Sequence, residues 1–99
     1  MAKVRIMLAP SIVMRNAYFE EDLPAYVKDL LTGYKIYPAI EVSQIGKDAA
    51  EEAFDLTNNP WRQAEREAKY GRDRSISVGD IVDVDGKMFV CSRDGWEKI

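Results

Sequence analysis

Alternation of apolar and polar residues predicts two β-strands in the first half of the chain. Val4, Ile6 and Leu8 recur at every second position, which places them on one face of a strand at about 3–9. A second alternating stretch predicts a strand at about 39–44, directly after a proline. Each of these strands therefore offers one apolar face to a core.

Two Asp-Gly pairs predict a three-stranded meander in the last quarter of the chain. Asp85-Gly86 separates IVDV from KMFV by two residues, and such a connection is typical of a type I′ hairpin turn. Asp94-Gly95 repeats this signal before Trp96. The predicted strands of the meander lie at about 80–84, 87–92 and 95–98.

Helical spacing of apolar residues predicts three helices between these strands. The first, at about 22–32, has apolar residues three and four positions apart and is followed by Gly33 as a terminator. The alanine-rich segment at about 47–57 is a strong helix former. A third helix, at about 60–70, begins with Pro60, because proline is favoured at the first helical position.

These elements define an α+β fold in a single domain, residues 1–99. The sheet is expected to be small and mainly antiparallel, with the three-stranded meander at its C-terminal end. We expect two to three helices to pack on one face of this sheet. The expected core contains Val4, Ile6, Leu8, Leu23, Val27, Leu30, Ile40, Val42, Ala53, Phe54, Ile81, Val82, Val84, Phe89, Val90 and Trp96.

The absence of histidine and the presence of one cysteine restrict the chemistry open to the chain. Histidine is the usual general base near neutral pH and the commonest metal ligand, so Ser-His and Cys-His pairs are excluded. An ordinary zinc site would need several cysteines. We therefore expect a non-enzymatic protein with no catalytic residues, cofactor or metal; a small enzyme using carboxylates or an activated lysine is the less favoured class.

Charge and hydropathy narrow the classes of partner. The net charge of −3 argues against a general polyanion binder, because affinity for phosphates comes from lysine and arginine. The single cysteine forms no internal disulfide, which favours the reducing cytoplasm of a bacterial host cell. No apolar run approaches the roughly 18 residues that a membrane span needs, so we expect no membrane partner.

Positive charge is concentrated in one segment, residues 61–74, which has five basic and three acidic residues. Three interpretations are open. The segment is a solvated helix face laced with ion pairs, or it contacts a protein through residue types favoured at interfaces, or it binds nucleic acid. The candidate partner-binding residues are Trp61, Arg62, Arg66, Tyr70, Arg72 and Arg74.

Other residues that could carry chemistry are interpreted as structural. Asp83 and Asp85 lie beside a predicted turn and lack the further oxygen ligands of a calcium loop. Cys91 is expected to be a small core residue. Gly79 and Asp80 are interpreted as turn residues before the meander.

The sequence RSISVGDIV, followed by a hairpin and by CSRDGW, resembles a segment of small proteins carried by phages, plasmids and other mobile elements. It is also similar to the C-terminal end of the YodL-like domain. The similarity extends from Ala53 to Ile99, and residues 1–45 lie outside it. The residues of this chain that match the motif are Arg74, Ser75, Ser77, Gly79, Asp80 and Trp96.

This resemblance implies an accessory or host-interaction protein, and it attaches no catalytic role to the motif residues. We therefore expect a non-enzymatic phage-type accessory protein that binds and modulates a host or phage protein. Arg74 is the expected recognition residue of the motif. The alternative is an accessory protein that binds nucleic acid through residues 61–74.

Overall fold

Six β-strands form one sheet, and four α-helices flank it, in the computed structural model, which describes residues 1–99. The strands are β1 (Ala2–Leu8), β2 (Lys35–Ile36), β3 (Ile40–Val42), β4 (Ile81–Val84), β5 (Lys87–Ser92) and β6 (Gly95–Lys98). The helices are α1 (Ser11–Asn16), α2 (Leu23–Lys28), α3 (Gly46–Asn58) and α4 (Gln63–Lys69). Short 3₁₀ turns occupy Ala17–Phe19, Leu31–Gly33 and Pro60–Arg62. The expected α+β class is confirmed.

The sheet is antiparallel throughout, with the strand order β2-β1-β4-β5-β6. β3 also pairs with β1, on the edge of β1 that faces away from β4. β2 and β3 are thus two pieces of one edge strand, interrupted around Pro38, which lacks the N–H that a ladder requires. β4, β5 and β6 form the expected C-terminal meander.

Helices cover both faces of this sheet, which corrects the expectation of a single covered face. Alanines of α3, with Ala53 at the centre, pack on the face that carries Val4 and Val82. α1 and α2 pack on the opposite face, where Ile81 and Val90 are fully buried. The reason is that β4 has apolar residues at adjacent positions, so both of its faces need cover.

The expected core residues are buried apart from Leu30, Ile40 and Phe54, which are half-buried. The second face adds buried residues that the alternating pattern did not single out, such as Met7 and Val13. The core is therefore divided into two clusters by the sheet rather than collected on one side of it.

The first hairpin turn matches its prediction; the second joins two strands with the predicted bounds, but its turn lies one residue before the Asp94-Gly95 pair. Asp85 and Gly86 both have positive φ, 49° and 90°, as a type I′ turn demands. In the second hairpin Ser92 pairs with Gly95, so the turn is formed by Arg93 and Asp94. Gly95 has a φ of 130° and opens β6 instead of completing the turn.

Two of the three predicted helices are shorter than expected. The helix at about 22–32 is α2, which ends at Lys28 and gives way to the 3₁₀ turn ending at Gly33. The helix at about 60–70 begins as a 3₁₀ turn and becomes α4 at Gln63. α3 extends one residue beyond its predicted range at each end. Residues 11–19, which have no clear period, form α1 and a 3₁₀ turn.

Gly79 lies where the chain enters the sheet and passes close to α1. Its φ of 97° is in the left-handed region, which residues other than glycine rarely adopt. A Cβ at this position would lie 2.8 Å from the Cβ of Ala17 and 3.2 Å from a methyl of Val13. Glycine is therefore required both by backbone conformation and by space.

We predict that Gly79→Ala lowers the free energy of unfolding by about 3 kcal/mol, because a left-handed φ and an overpacked contact each cost about 1–2 kcal/mol. Gly71→Ala is the matched control, since Gly71 has a φ of 106° but nothing within 4 Å of its would-be Cβ. Urea unfolding of both variants measures the difference. Equal losses for the two variants would show that the contact with α1 is unimportant.

Candidate functional site

Arg74 and Asp80 form an ion pair at the start of the meander. The Asp80 side chain is fully buried, and the Arg74 guanidinium reaches its two oxygens at 2.5 and 2.7 Å. The same carboxylate accepts hydrogen bonds from the backbone N–H of Ala9, at 2.7 Å, and of Ser77, at 2.8 Å. Asp80 precedes β4, and its buried carboxylate also connects the end of β1 to the loop before β4. Arg74 is its counter-ion.

Two side chains beside the Asp80 carboxylate, those of Arg74 and Tyr34, have raised pKa values. The hydrogen bond to Asp80 raises the pKa of Arg74 above its usual value, so the guanidinium stays charged. Tyr34 donates a hydrogen bond to the carbonyl of Gly79 at 2.5 Å, and burial raises the pKa of its phenol. Arg74 is therefore held in the fold, with about a third of its side chain exposed.

Arg66 and Tyr70 also serve the fold. Arg66 donates to the carbonyls of Thr57 and Asp73 and to the hydroxyl of Ser75, which joins α4 to the end of α3 and to the following loop. Tyr70 is buried, and its hydroxyl donates to the carbonyl of Arg74 at 2.6 Å. Both residues were predicted to bind a partner protein, but in the structure their polar groups bind other residues of this chain.

Arg62 is the centre of an ion-pair network between α3 and α4. Its guanidinium binds both carboxylate oxygens of Glu65, at 2.9 and 3.0 Å, and one oxygen of Asp55 at 3.0 Å. Glu52 lies 3.6 Å away. The hydrogen bond from Arg62 lowers the pKa of Glu65 to about 2, and Lys69 adds to this effect.

Trp61 and Arg72 are the two candidate residues that face solvent. Trp61 is 93% exposed, more than any other large hydrophobic residue of the chain. The Arg72 side chain is 87% exposed and lies 3.5 Å from Glu67. The six candidate residues therefore do not form one exposed cationic surface.

The backbone that carries Trp61 is firmly held. The side chain of Asn59 accepts a hydrogen bond from the N–H of Trp61 at 3.0 Å, and Pro60 occupies the first position of the turn. The Asn59 amide also donates to Asp55. The indole is thus presented from a hydrogen-bonded 3₁₀ turn between α3 and α4.

The sequence prediction missed the surface beside this corner, which is the outer face of α3. An open groove of about 580 Å³ runs along it. The signal that could have found this surface is the helical spacing of the acidic residues between positions 48 and 55. The lining residues, none of them apolar, are Ser43, Gln44, Asp48, Glu51, Glu52, Asp55 and Arg62.

Glu52 closes the groove at the loop that precedes α3. One of its oxygens accepts hydrogen bonds from the N–H groups of Ser43 and Gln44 and from the Ser43 hydroxyl, at 2.8–3.0 Å. Burial acts to raise the pKa of Glu52, but these hydrogen bonds and the charge of Arg62 lower it below its usual value. The ionised carboxylate of Glu52 therefore holds the loop before α3 in place.

Cys91 is the one free cysteine, and it is buried. Burial raises the pKa of its thiol to about 12, which disfavours the thiolate. No group of three or more cysteine, aspartate or glutamate side chains is arranged to hold a metal ion. None of the helices combines the length and apolar character needed to span a bilayer.

Three kinds of comparison with known proteins give no further assignment. No protein-family model, no curated protein and no solved structure matches the chain.

We predict that Asp80→Asn lowers the free energy of unfolding by about 3–5 kcal/mol, because it leaves the Arg74 charge without its buried partner. Asp94→Asn is the matched control, since the Asp94 side chain is 89% exposed. Equilibrium unfolding in urea measures both. A cost below about 1 kcal/mol for Asp80→Asn, typical of an exposed pair, would contradict the anchoring role.

We predict that Glu52→Gln is destabilising at pH 7 and that the difference from wild type shrinks in acid. The folded pKa of Glu52 lies below its unfolded value near 4.5, so its contribution is complete above that pH and is lost as the pH falls through the folded pKa. Melting temperatures of both proteins between neutral and acidic pH measure this. Glu67→Gln is the exposed control, and a Glu52→Gln difference independent of pH would contradict the assignment.

Proposed function

We propose that this chain is a non-enzymatic accessory protein that acts by binding another protein through a contact centred on Trp61. The observation that carries the proposal is the exposure of this indole, 93%, on a backbone fixed by Asn59 and Pro60. Tryptophan is the residue type most enriched at energetically dominant interface positions. A rigid presentation reduces the entropy lost on binding.

The distribution of arginine partners favours a protein over a nucleic acid. Arg62, Arg66 and Arg74 are engaged by carboxylates or carbonyls of the same chain. Binding to nucleic acid requires lysine and arginine side chains that are free to neutralise phosphates and so displace the counterions of the nucleic acid, and few basic side chains of this segment are free. The same corner borders a groove of carboxylates, which repels a phosphate backbone.

The proposal also includes the kind of partner and the place where the protein acts. The similarity of residues 53–99 to small proteins of phages and mobile elements supports a host or phage protein as the partner and modulation of it as the outcome. The free, buried Cys91 is compatible with the reducing cytoplasm of a bacterial host cell as the place of action.

We predict that affinity capture from bacterial lysate with the wild-type chain recovers a protein and that Trp61→Ala weakens this recovery by about 30-fold or more, as for a truncated hot spot. Phe19→Ala is the matched control, since Phe19 is 79% exposed and lies beyond the opposite face of the sheet. Circular dichroism checks that both variants are folded.

Two outcomes would overturn this proposal. Recovery that is unchanged by Trp61→Ala would place the contact elsewhere. Recovery that disappears with nuclease and falls steeply with salt would favour the nucleic-acid alternative, because phosphate binding is strongly salt-dependent.

A further inference from the structure

β6 is the last strand of the sheet, and one of its edges is unpaired. β5 pairs with it on one side, and no strand lies on the other. Ile99 donates its N–H to the carbonyl of Met88, so the alternation of an antiparallel ladder directs the backbone groups of Trp96 and Lys98 away from β5. No hydrogen bond within the chain reaches these groups. The edge therefore offers alternating donors and acceptors to a further strand.

A groove borders this edge on the α3 face of the sheet. It has a volume of about 190 Å³ and is lined by Phe54, Cys91 and Trp96 among others. Glu51 also lines it, but one of its carboxylate oxygens accepts a hydrogen bond from the Trp96 indole at 2.8 Å. The groove is therefore suited to a small apolar side chain that projects from a strand beside β6.

A second groove borders the same edge on the opposite face, which carries α1 and α2. It has a volume of about 240 Å³ and, like the first, it touches Gly95 and Trp96. Arg93 is the only cationic residue of its lining, and it lies 3.9 Å from Asp94 and 5.7 Å from the ring centre of Tyr18. Basic side chains of a bound strand would therefore be favoured on this face. The carboxylates of the lining belong to Glu20, Glu21, Asp94 and Glu97.

We propose that the free edge of β6 binds an extended segment of another protein as an additional antiparallel strand. The unpaired backbone groups of Trp96 and Lys98 hold the segment, and the two grooves select its side chains. Side chains alternate between the faces of a sheet, so a residue opposite Trp96 points into the first groove and its two neighbours point toward the second. The segment accordingly has a small apolar residue between two basic residues.

The length of β6 limits what can bind. The strand has four residues, so a short segment covers the whole edge. The site does not include Trp61, and the inference does not depend on the contact centred on that residue.

Three synthetic peptides with blocked ends test the role of the edge. The first is Ser-Val-Lys-Val-Lys-Ser, the second carries an N-methyl group on each valine, and the third carries one on each lysine. When the peptide pairs with β6, its valines lie opposite Trp96 and Lys98 and donate their N–H groups to the edge. The N–H groups of its lysines point away from β6, so the third peptide is the matched control for the second.

Each peptide is titrated into the ¹⁵N-labelled full chain, and the amide signals are followed by NMR. We expect the first and third peptides to shift the amides of Trp96 and Lys98 with similar affinity. The second peptide is expected to bind at least about tenfold more weakly, because two backbone hydrogen bonds of about 1 kcal/mol each are lost. Equal binding of the two methylated peptides, or shifts confined to residues away from β6, would overturn strand addition.

Charge reversal tests the selection of basic side chains. Glu97→Lys is expected to weaken binding of the unmodified peptide by about three- to tenfold, because an attraction to an opposing lysine becomes a repulsion. Glu41→Lys is the matched control, since Glu41 is an exposed strand residue at the opposite border of the sheet. Equal effects of the two variants, or equal binding of a peptide with glutamate in place of each lysine, would overturn the basic chemistry of the segment.

A dilution series of the chain alone tests the other possible occupant, which is a second copy of this protein. We expect the amide signals of Trp96 and Lys98 to be independent of protein concentration. Signals that shift with concentration, together with dimers in analytical ultracentrifugation, would show that β6 pairs with β6 of another copy and would overturn the assignment of the edge to a different protein.

Discussion

The buried carboxylate of Asp80 is the interaction on which the rest of the molecule depends. It holds Arg74, the end of β1 through the N–H of Ala9, and the loop through the N–H of Ser77. Two charges removed from water are costly unless every remaining lone pair finds a donor, and here three donor residues from two separate segments, the end of β1 and the loop before β4, supply them. The sheet and the long loop before β4 are therefore fixed to each other by one side chain.

Hydrogen bonds also connect this loop to the corner between α3 and α4, which carries Trp61. The loop that ends at Asp80 is bonded to the end of α3, because the Thr57 hydroxyl accepts from the N–H of Ile76 and the Thr57 carbonyl accepts from Ser75. Arg66 reaches the same carbonyl from α4. Hydrogen bonds thus tie the orientation of α3 and α4 to the loop that ends at Asp80. The residues of this loop support the exposed corner at Trp61 without forming part of it.

Local sequence signals were sufficient for the elements whose structure is decided locally. The Asp85-Gly86 turn was predictable because a type I′ turn selects these residues, and α3 was predictable because its alanines follow one helical stripe. The covering of the second face was not predictable in the same way: α2 was predicted as a helix but not assigned to that face, and α1 has no clear period. The displaced second turn arose because Gly95 adopts its positive φ at the start of a strand.

The candidate site shows the same division between local and distant contacts. The backbone turn at Trp61 is decided locally, because Asn59 and Pro60 beside it in sequence are cap residues, whereas the exposure of its indole depends on the packing of the whole chain. The roles of Arg66 and Arg74 depend on partners nine and six residues away that meet them only after folding. Counting the basic residues of segment 61–74 therefore overestimates its cationic surface, since most of them have partners within this chain.

The broken edge strand carries a consequence for the behaviour of this protein at high concentration. β2 and β3 offer a neighbouring molecule only short lengths of unpaired backbone, separated by Pro38, and β6 at the far edge has four residues with exposed Glu97 and Lys98. Continuous, uncharged edges are the templates from which fibres grow. Neither border of this sheet is such a template, so the molecule can expose a large indole at high protein concentration while resisting open-ended polymerisation.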